Sequence, residues 1–381
     1  MNIYLDNAAS TPLDPEALAE MMPFLAGHAG NPSSTHQHGR HLRGAIEQAR
    51  RSIAQCLGAS PAEICFTSGG TEADNLAKQG AISGYGLRHA VSTRIEHHAV
   101  THVLEQLEAR GQVHVSWLKV DEKGHIDPDE LRAVLAAQPR SLVSLMHANN
   151  EIGTLHDIAA IGEICAGYDA LFHSDTVQSM GHIPFDFKSL RLHFAAASAH
   201  KFYGPRGIGF LYLRQGTRIP PLLLGGGQER NLRSGTENVA GIVGMAFALQ
   251  KCYGQLEAKN QHLLDLKHYM RERLLQQFPG TEINGETAPE RALPTVLNVA
   301  LPSQDHDPML LFHLDLMGIS VSGGSACSSG ANQGSHVLQG IGCADERIKR
   351  SVRFSFGVQN TRAEIDATLQ RLAEVISTPV S

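Results

Sequence analysis

The chain has 381 residues, with 32 Lys and Arg against 38 Asp and Glu, which gives a formal net charge of -6 at pH 7. This length exceeds one ordinary domain and predicts a large domain with a smaller one. The small net charge, without a long basic run, argues against direct binding to nucleic acid or to a membrane surface, and no apolar run approaches the ~18 residues of a membrane span.

The N-terminal residues and the cysteines indicate the location and the redox state of the protein. The N-terminus lacks a basic segment followed by an apolar one, so we expect a cytoplasmic protein. The six cysteines are scattered without a Cys-x-x-Cys pair and are interpreted as reduced thiols. Five of them lie among apolar or helical neighbours, whereas Cys327 lies in a small polar loop. The partners should therefore be small molecules or proteins.

Strands and helices alternate along the first part of the chain. An extended arm at 4–12 leads to a helix that opens at Asp14-Pro15, and a polar loop at 30–39 precedes a helix at about 43–57. The strands predicted next lie at 63–67, 89–93, 113–118, 141–146 and 170–175, with helices near 100–110, 128–137 and 158–168. This order is typical of an α/β layered domain with a mainly parallel sheet, where ligand chemistry gathers at the carboxyl ends of strands.

The pattern changes at about residue 256. A long charged helix to 277 is followed by a strand at 295–300, a helix at 308–317, a strand at 319–322, the cysteine loop and a strand at 351–356. We therefore predict a large domain at 14–257. The small domain comprises 1–13 and 258–381 and carries the cysteine loop.

The most informative stretch runs from Phe194 to Gly209. Small apolar residues lead into Ser198, His200 and Lys201, and a glycine-proline turn and another buried strand follow. Burial lowers the pKa of a lysine, which then becomes a nucleophile able to form a Schiff base with a carbonyl substrate or with pyridoxal phosphate (PLP). From this window alone, a turn lysine with its ammonium group in water is an equal alternative.

A glycine turn at 68–70 connects a short strand to an acid-rich helix start. Such a turn is a candidate anion site, because unpaired backbone N–H groups and the helix dipole point at it. The alternative is an ordinary strand-to-helix turn, and the residues do not match a nucleotide P-loop.

Two further strand ends carry titratable groups. Asp175 ends a buried run and would need a cationic partner, which a pyridinium nitrogen could supply; a structural hydrogen bond is the alternative. His97 could stack on a flat ring or transfer a proton near neutral pH. The neighbouring histidines lack the ligand clusters of a metal centre, so we predict no metal site.

Two late segments are also candidates. Cys327 lies in a loop built almost entirely of small residues, which we expect to move and to present a reactive thiol; an incidental solvent cysteine is the alternative. Arg353 alternates with apolar residues in a strand and could hold a substrate carboxylate with two parallel hydrogen bonds, or could be a solvated strand arginine.

Taken together, the motifs resemble those of PLP-dependent cysteine desulfurases of the NifS/IscS-like group, within the class V aminotransferase-like, fold-type I enzymes. The motifs that carry the resemblance are Tyr4-Leu5-Asp6-Asn7-Ala8-Ala9, the run 66–75, Glu96-His97, the run 147–153, Asp175-Thr176-Val177-Gln178-Ser179, Ser198-Ala199-His200-Lys201, Arg233-Ser234-Gly235-Thr236 and Gly324-Ser325-Ala326-Cys327-Ser328-Ser329. The resemblance covers essentially the whole chain.

The resemblance implies a fold-type I architecture, with a mainly parallel seven-stranded sheet in the large domain, and a homodimer. It also implies roles for individual residues. Lys201 would hold PLP and later move the Cα proton, Asp175 would pair with the pyridine nitrogen, and Gln178 would bond the ring oxygen. His97 would stack on the ring. The phosphate would contact Gly70, Thr71, Ser198, His200 and, from a second subunit, Thr236. Asn150 and Arg353 would hold the substrate carboxylate.

The implied reaction converts L-cysteine to L-alanine, with the Cys327 thiolate taking the sulfur as a persulfide for a sulfur-acceptor protein. The chain stops at Ser381 without the longer C-terminal extension of scaffold-binding relatives, which puts an iron-sulfur housekeeping role in doubt. tRNA thiolation, DNA phosphorothioation and iron-sulfur assembly stay open. A selenocysteine lyase or related class V aminotransferase is the enzymatic alternative, and a non-catalytic partner that keeps the fold is the other.

Overall fold

A computed structural model describes residues 2–138, 140–302, 309–323 and 334–377. Its strands are β1 (Ile3–Tyr4), β2 (Ile64–Thr67), β3 (His89–Thr93), β4 (His114–Leu118), β5 (Leu142–Ser144), β6 (Leu171–Asp175), β7 (Phe194–Ser198), β8 (Gly209–Leu213), β9 (Glu282–Asn284), β10 (Val296–Ala300), β11 (Ile319–Ser320) and β12 (Ser351–Ser355). Its helices are α1 (Pro15–Met22), α2 (Gln37–Cys56), α3 (Gly70–Tyr85), α4 (His98–Ala109), α5 (Pro128–Ala137), α6 (Ile158–Gly167), α7 (Val239–Gly254), α8 (Leu256–Gln277), α9 (Leu310–Leu316), α10 (His336–Gly340), α11 (Asp345–Lys349) and α12 (Arg362–Ser377). The predicted loop around Cys327 lies outside the described residues.

Within the described residues, the main sheet has seven strands in the order β2-β8-β7-β6-β5-β3-β4. Neighbouring strands are parallel except at β8, which is antiparallel to both β2 and β7. The predicted α/β fold with a mainly parallel seven-stranded sheet is therefore confirmed. Apart from the edge strand β4, its strands are buried on both faces, which explains their largely apolar sequences.

Successive side chains of the sheet point to opposite faces and pack against different helices. Phe66, Phe172 and Phe210 pack with α2, α5, α6 and α7, whereas Cys65 and Leu211 pack with α3 and α4 on the other face. This three-layer arrangement follows from the two-residue period of a strand. The helices cover the two faces of the sheet and leave the carboxyl ends of the parallel strands uncovered at one edge.

The C-terminal part builds a second, smaller packing unit. Strands β12, β10 and β9 form an antiparallel sheet, and their apolar side chains pack against α8, α9 and α12. The N-terminal strand β1 pairs in parallel with β11, so the arm is hydrogen-bonded to this unit. The predicted division near residues 13 and 257 agrees with this packing and stays a prediction.

The helix α2 begins at Gln37, earlier than the apolar periodicity predicts. His36 precedes it and its Nδ1 accepts a hydrogen bond from Gly39 N at 3.3 Å. The first apolar residue that the helix buries is Leu42, so its polar first turn carries no periodic signal. The sequence did not predict α7. This helix is buried over much of its circumference, so its sequence lacks the alternation of apolar and polar faces that marks an amphipathic helix.

Five cysteines fall within the described residues, and all are free thiols. Cys65, Cys165 and Cys252 are buried, and Cys56 and Cys343 are half-buried. Burial raises the pKa of each of these thiols, so they stay protonated and unreactive near neutral pH. No helix within the described residues is long and apolar enough to cross a membrane.

Candidate active site

A cavity of about 200 Å³ lies where β5, β6 and β7 end and α3 begins. Ten of the predicted site residues line it, namely Gly70, Thr71, His97, Asn150, Asp175, Gln178, Ser198, His200, Lys201 and Arg353. These residues come from positions almost 300 residues apart in the chain, and the sheet topology brings them to one edge. The described part of the chain shows no cluster of three or more His, Cys, Asp or Glu arranged to hold a metal ion.

A larger cavity, of about 580 Å³, lies elsewhere beside His147 and His156. Its histidines already have protein partners: His147 Nδ1 lies 2.9 Å from Ser179 Oγ, and the His156 nitrogens lie 2.8 and 2.9 Å from backbone oxygens. Convergence of buried titratable groups is a better mark of a reactive site than volume, and it favours the smaller cavity.

The glycine turn before α3 forms an open end of the cavity. A side chain at Gly70 would bring its Cβ within 2.6 Å of Val177 Cγ2, so the backbone of this turn can approach closely only because the residue is glycine. No side chain caps the N-terminus of α3, and the amides of its first turn therefore remain available. Together with the side chains of Thr71 and Ser198, this turn is suited to an anion.

Lys201 ends the short turn that follows β7. Its Nζ donates hydrogen bonds to the carbonyl oxygens of Ala8 at 2.6 Å and Ala9 at 2.9 Å. The side chain is half-buried against the N-terminal arm, which differs from the solvated alternative that the local sequence left open. Gln178 Nε2 donates to the same Ala8 oxygen at 2.9 Å, so the arm holds two of the cavity residues.

Asp175 is the last residue of β6 and is buried. Its Oδ1 accepts a hydrogen bond from Val177 N at 2.9 Å. Burial, reinforced by the nearby Asp74 carboxylate, raises the pKa of Asp175 to about 6. A carboxylate in this position gains from any cation that enters the cavity.

A group of buried ionisable side chains lies beneath Asp175. On α3, Lys78 Nζ lies 3.8 Å from Asp74 Oδ1, without hydrogen-bond geometry. His173 Nε2, on β6, lies 3.1 Å from the same oxygen, and burial lowers the pKa of His173 well below its ordinary value, so this ring is neutral. Burial raises the pKa of Asp74 and lowers the pKa of Lys78. Glu96 accepts from Met146 N at 2.7 Å, and burial raises its pKa well above the ordinary value.

His97 is the N-cap of α4. Its Nδ1 accepts a hydrogen bond from Ala99 N at 3.1 Å, so its proton is assigned to Nε2. Burial lowers the pKa of His97, although the carboxylates of Asp175 and Asp74 act in the opposite direction. The ring is therefore neutral near pH 7 and offers an uncharged face and one N–H donor to the cavity.

His200 contacts the N-terminal arm beside Lys201. Its Nδ1 lies 3.2 Å from Ser10 Oγ, and its backbone oxygen accepts from Thr11 N at 2.8 Å. Burial, together with the positive charges of Lys201 and Arg206, lowers the pKa of His200 to about 4. It is a neutral hydrogen-bonding group under physiological conditions.

Arg353 projects from β12 into the cavity and is only 1% exposed, which excludes the solvated alternative. Its Nη1 donates to the Asn150 carbonyl oxygen at 2.9 Å, and its Nη2 contacts Asp6 Oδ1 at 2.7 Å. Its Nε has no partner in the described part of the chain. Asp6 is thus an ion-pair partner that the sequence analysis did not identify.

Thr236 is the predicted site residue within the described part of the chain that does not line the cavity. Thr236 is exposed and follows a loop in which Glu229, Arg230 and Asn231 all have positive φ angles, of 44°, 57° and 65°. Buried Glu229 fixes this loop through Arg50, with both oxygens 2.8 Å from the guanidinium. Cys327 lies outside the described residues.

The described residues on either side of Cys327 lie close to the cavity wall. Ser322 pairs with Arg353, whose N donates to the Ser322 oxygen at 2.6 Å. On the other side, His336 Nε2 lies 2.9 Å from the Glu96 oxygen, next to His97. Residues on both sides of the segment that contains Cys327 therefore contact the cavity wall or a residue next to it.

Six other residues line the cavity without having been proposed from the sequence: Ala8, Ala9, Asp74, Met146, Ala148 and Val177. Ala8 and Ala9 belong to a motif used for the resemblance, and Asp74 to the acid-rich start of α3. Their small or common side chains carry no chemical signal in isolation. For Met146, the available indication was its position at the end of a predicted strand.

Comparison with known proteins gives a consistent assignment. The family model for class-V aminotransferases matches residues 3–368. A cysteine desulfurase IscS of Dictyoglomus turgidum is 43% identical over 377 residues, covering 98% of this chain and 94% of the relative.

Among solved structures, a NifS-like protein has a TM-score of 0.91 and 35% identity, covering 99% of this chain and 100% of that one. A structure of SspA in complex with cysteine has a TM-score of 0.81 and 32% identity, covering 94% and 100%. The chain therefore belongs to the class-V aminotransferase family, among its cysteine desulfurases of the IscS and NifS type.

Proposed function

We propose that this protein is a PLP-dependent cysteine desulfurase that converts L-cysteine to L-alanine and retains the sulfur as a persulfide on Cys327. The observation that carries the proposal is the convergence of Lys201, Asp175 and the open N-terminus of α3 on one cavity. The overall change breaks the carbon–sulfur bond of cysteine and forms a sulfur–sulfur bond on the enzyme. Its atoms balance, because one cysteine and one thiol give one alanine and one persulfide.

The residues around the cavity fit PLP by their chemistry. The uncapped N-terminus of α3 at Gly70, with the side chains of Thr71, Ser198 and His200, offers donors to a phosphate. Asp175 is a buried carboxylate with a raised pKa, which favours a protonated ring nitrogen. Lys201 supplies the amine, and neutral His97 supplies a flat face.

When bound, PLP supplies an electron sink that makes the Cα proton of an amino acid acidic. Lys201 would hold the cofactor through Nζ, and its amine could take or give the proton at the substrate Cα atom. Asp175 would keep the ring nitrogen protonated, and Gln178, which donates to the Ala8 oxygen, would hold the ring oxygen. The depressed pKa of His97 keeps its ring uncharged next to the cofactor.

Substrate binding is assigned to Asn150 and Arg353. The Asn150 side chain lines the cavity and makes no hydrogen bond to the described protein, and Arg353 keeps N–H donors available. A carboxylate placed between them would receive charge-assisted hydrogen bonds. We assign the sulfur-accepting thiolate to Cys327, with a sulfur-acceptor protein as the next partner and the cytoplasm as the location. The pathway stays open among the three candidates above.

We further propose that two copies of the chain form a homodimer in which Thr236 completes the phosphate site of its partner. Leu222, Leu223 and Leu224 are 39%, 42% and 84% exposed, in the segment that leads towards Thr236. An exposed run of leucines of this kind is typical of a surface that another protein covers. Thr236 is itself exposed and does not line the cavity of its own chain.

The experiment that tests the activity uses the purified protein, reconstituted with PLP and incubated with L-cysteine and dithiothreitol. We expect equal amounts of alanine and sulfide. Cys327→Ser should lower alanine formation at least about a hundredfold, because the acceptor of sulfur is lost. Cys343→Ser is the matched control and should retain activity.

Lys201→Ala should abolish turnover while the protein still folds. The proposal fails if the PLP-loaded protein forms no alanine, or if Cys327→Ser turns over cysteine as well as the unmodified chain. The second result would favour a selenocysteine lyase or aminotransferase that needs no thiol.

A further inference from the structure

Arg353 is already paired with an acidic side chain of its own chain. The Nη2 to Asp6 Oδ1 distance is 2.7 Å, and the Nη1 group donates to the Asn150 oxygen at 2.9 Å. The Arg353 side chain is 1% exposed and the Asp6 side chain 16%, so solvent screens this ion pair weakly. The pair is close to electrically neutral before any substrate arrives.

The N-terminal arm fixes the position of Asp6. Asp6 forms a bridge with Ser355 of β12, two residues from Arg353. On either side of it, Leu5 N donates to the Ser320 oxygen at 2.9 Å, and Asn7 N donates to the Ser355 oxygen at 3.3 Å. Backbone hydrogen bonds thus hold the main chain of both partners of the ion pair, so the Asp6 carboxylate can move away from Arg353 only by changing its side-chain rotamer.

A carboxylate that binds Arg353 must share the guanidinium with this resident carboxylate. Free N–H donors remain, because Nε lacks a partner in the described residues and each Nη carries a second hydrogen. The charge that attracts the ligand is nevertheless partly cancelled by Asp6. Hydrogen bonding is therefore available, whereas the long-range attraction is reduced.

We propose that Asp6 is an affinity-determining residue, a resident carboxylate that weakens the binding of the substrate and product carboxylates by Arg353. This inference rests on the proposed assignment of Arg353 to the substrate carboxylate. Cysteine and alanine carry the same carboxylate, so a bare arginine would hold the product as firmly as the substrate. With Asp6 present, both bind less tightly and alanine can leave.

The test measures the affinity of the PLP-loaded protein for 3-mercaptopropionate by calorimetry in the presence of a reductant. This probe has the carboxylate and thiol of the substrate but no amine, so it cannot condense with the cofactor as an amino acid does. Asp6→Asn keeps an oxygen acceptor for Nη2 and removes the charge. We expect roughly tenfold tighter binding, which lies between the effects that Coulomb's law gives for a unit charge ~6 Å away at dielectric constants of ~20 and ~80.

Two kinetic constants should change in the same direction. The KM for L-cysteine and the inhibition constant for L-alanine should both fall in Asp6→Asn. Asp6→Ser, which also removes the charge, should behave in the same way and serves if the asparagine variant does not fold. Asp14→Asn removes a charge just after the arm, from the N-cap of α1, where Asp14 pairs with Lys251 at 2.8 Å, and should leave all three values unchanged.

The outcomes separate this inference from the assignment on which it rests. If Arg353→Met abolishes probe binding but Asp6→Asn and Asp6→Ser bind the probe no more tightly than the unmodified chain, the inference about Asp6 is wrong and the assignment of Arg353 stands. If Arg353→Met binds the probe normally, the assignment of Arg353 fails, and the inference fails with it.

Discussion

Individual side chains in the cavity have properties that depend on burial more than on residue type. Asp175, His97 and Lys201 are ordinary residues in the sequence, but burial raises the carboxyl pKa of the first and lowers the imidazole pKa of the second. The half-buried amine of Lys201 is held by two backbone oxygens. Groups with shifted pKa values are typical of reactive sites, because a catalytic group needs a pKa matched to its task.

Asp175 gives a pH prediction for the PLP-free protein. Its pKa is about 6 in the folded chain against an ordinary value of 3.8, so the ionised form costs about 3 kcal/mol of folding stability at pH 8. The cost disappears as the pH falls through 6 towards 4, because the folded state then holds the proton. Asp175→Asn should therefore raise the thermal midpoint at pH 8 and have little effect near pH 4, while it weakens PLP binding.

Thermal denaturation of the PLP-free proteins at several pH values measures this effect. The difference in thermal midpoint between Asp175→Asn and the unmodified chain reports the effect of Asp175. The other titratable groups around it are the same in both proteins, namely Asp74, Lys78, Glu96, His97, His173 and Lys201. Asp169→Asn, at a side chain that is 89% exposed, is the matched control and should change nothing. A lower midpoint for Asp175→Asn at pH 8 would contradict the prediction.

At the scale of elements, the helix α3 combines two functions. Its N-terminus provides the open amides of the glycine turn, and its next two turns place Asp74 and Lys78 beneath Asp175. Lys78 is 0% exposed and its Nζ has no hydrogen-bond partner among the described residues. Lys78 lies one helical turn after Asp74, at the i, i+4 spacing, where its positive charge can compensate buried carboxylates.

Replacement of Lys78 by Met should destabilise the protein by about 3–5 kcal/mol, because Asp74 is left without its cation in a buried position. The double variant Asp74→Asn with Lys78→Met removes both charges and should recover most of this loss. Chemical denaturation of the PLP-free proteins measures both. A single variant as stable as the unmodified chain would mean that the pair carries no charge.

Elements were also predictable to different degrees. The strands β6 and β7 and the turn before α3 have strong local signals in the form of apolar runs and glycines. The beginning of α2 and the whole of α7 do not, because a polar first turn and a helix buried on most sides both lack the amphipathic period.

For the whole molecule, the N-terminal arm connects the two packing units. It pairs with β11 in the smaller unit and then brings Ala8 and Ala9 to Lys201 at the end of β7. The site is therefore assembled from both units, and only the complete chain can form it. In the proposed homodimer, the exposed leucines before Thr236 would contact a second copy, and Thr236 would add to the site of that copy.

Leu224→Glu tests the proposed dimer. A charge at this 84% exposed leucine should disfavour burial against a second copy, so sedimentation should shift from a dimer to a monomer. PLP affinity should fall as well if Thr236 serves the partner. Leu316→Glu, at a leucine of α9 that is 68% exposed, is the control and should leave the mass unchanged. A Leu224→Glu protein that remains dimeric would exclude this surface.

The sequence by itself determined the α/β class, the order of strands and turns, and ten of the residues that line the cavity. The class and the order of elements depend on local patterns of apolar residues and glycines, which fix where strands end. The ten residues depend on those strand ends together with the family resemblance, which alone implied Asn150 and Gln178. The tertiary structure alone decided the contacts of Lys201 with Ala8 and Ala9, the pairing of Arg353 with Asp6 and the burial of Lys78. Each of these is a charge whose partner or burial depends on a side chain or backbone group brought close by folding, and no local pattern encodes such a distance.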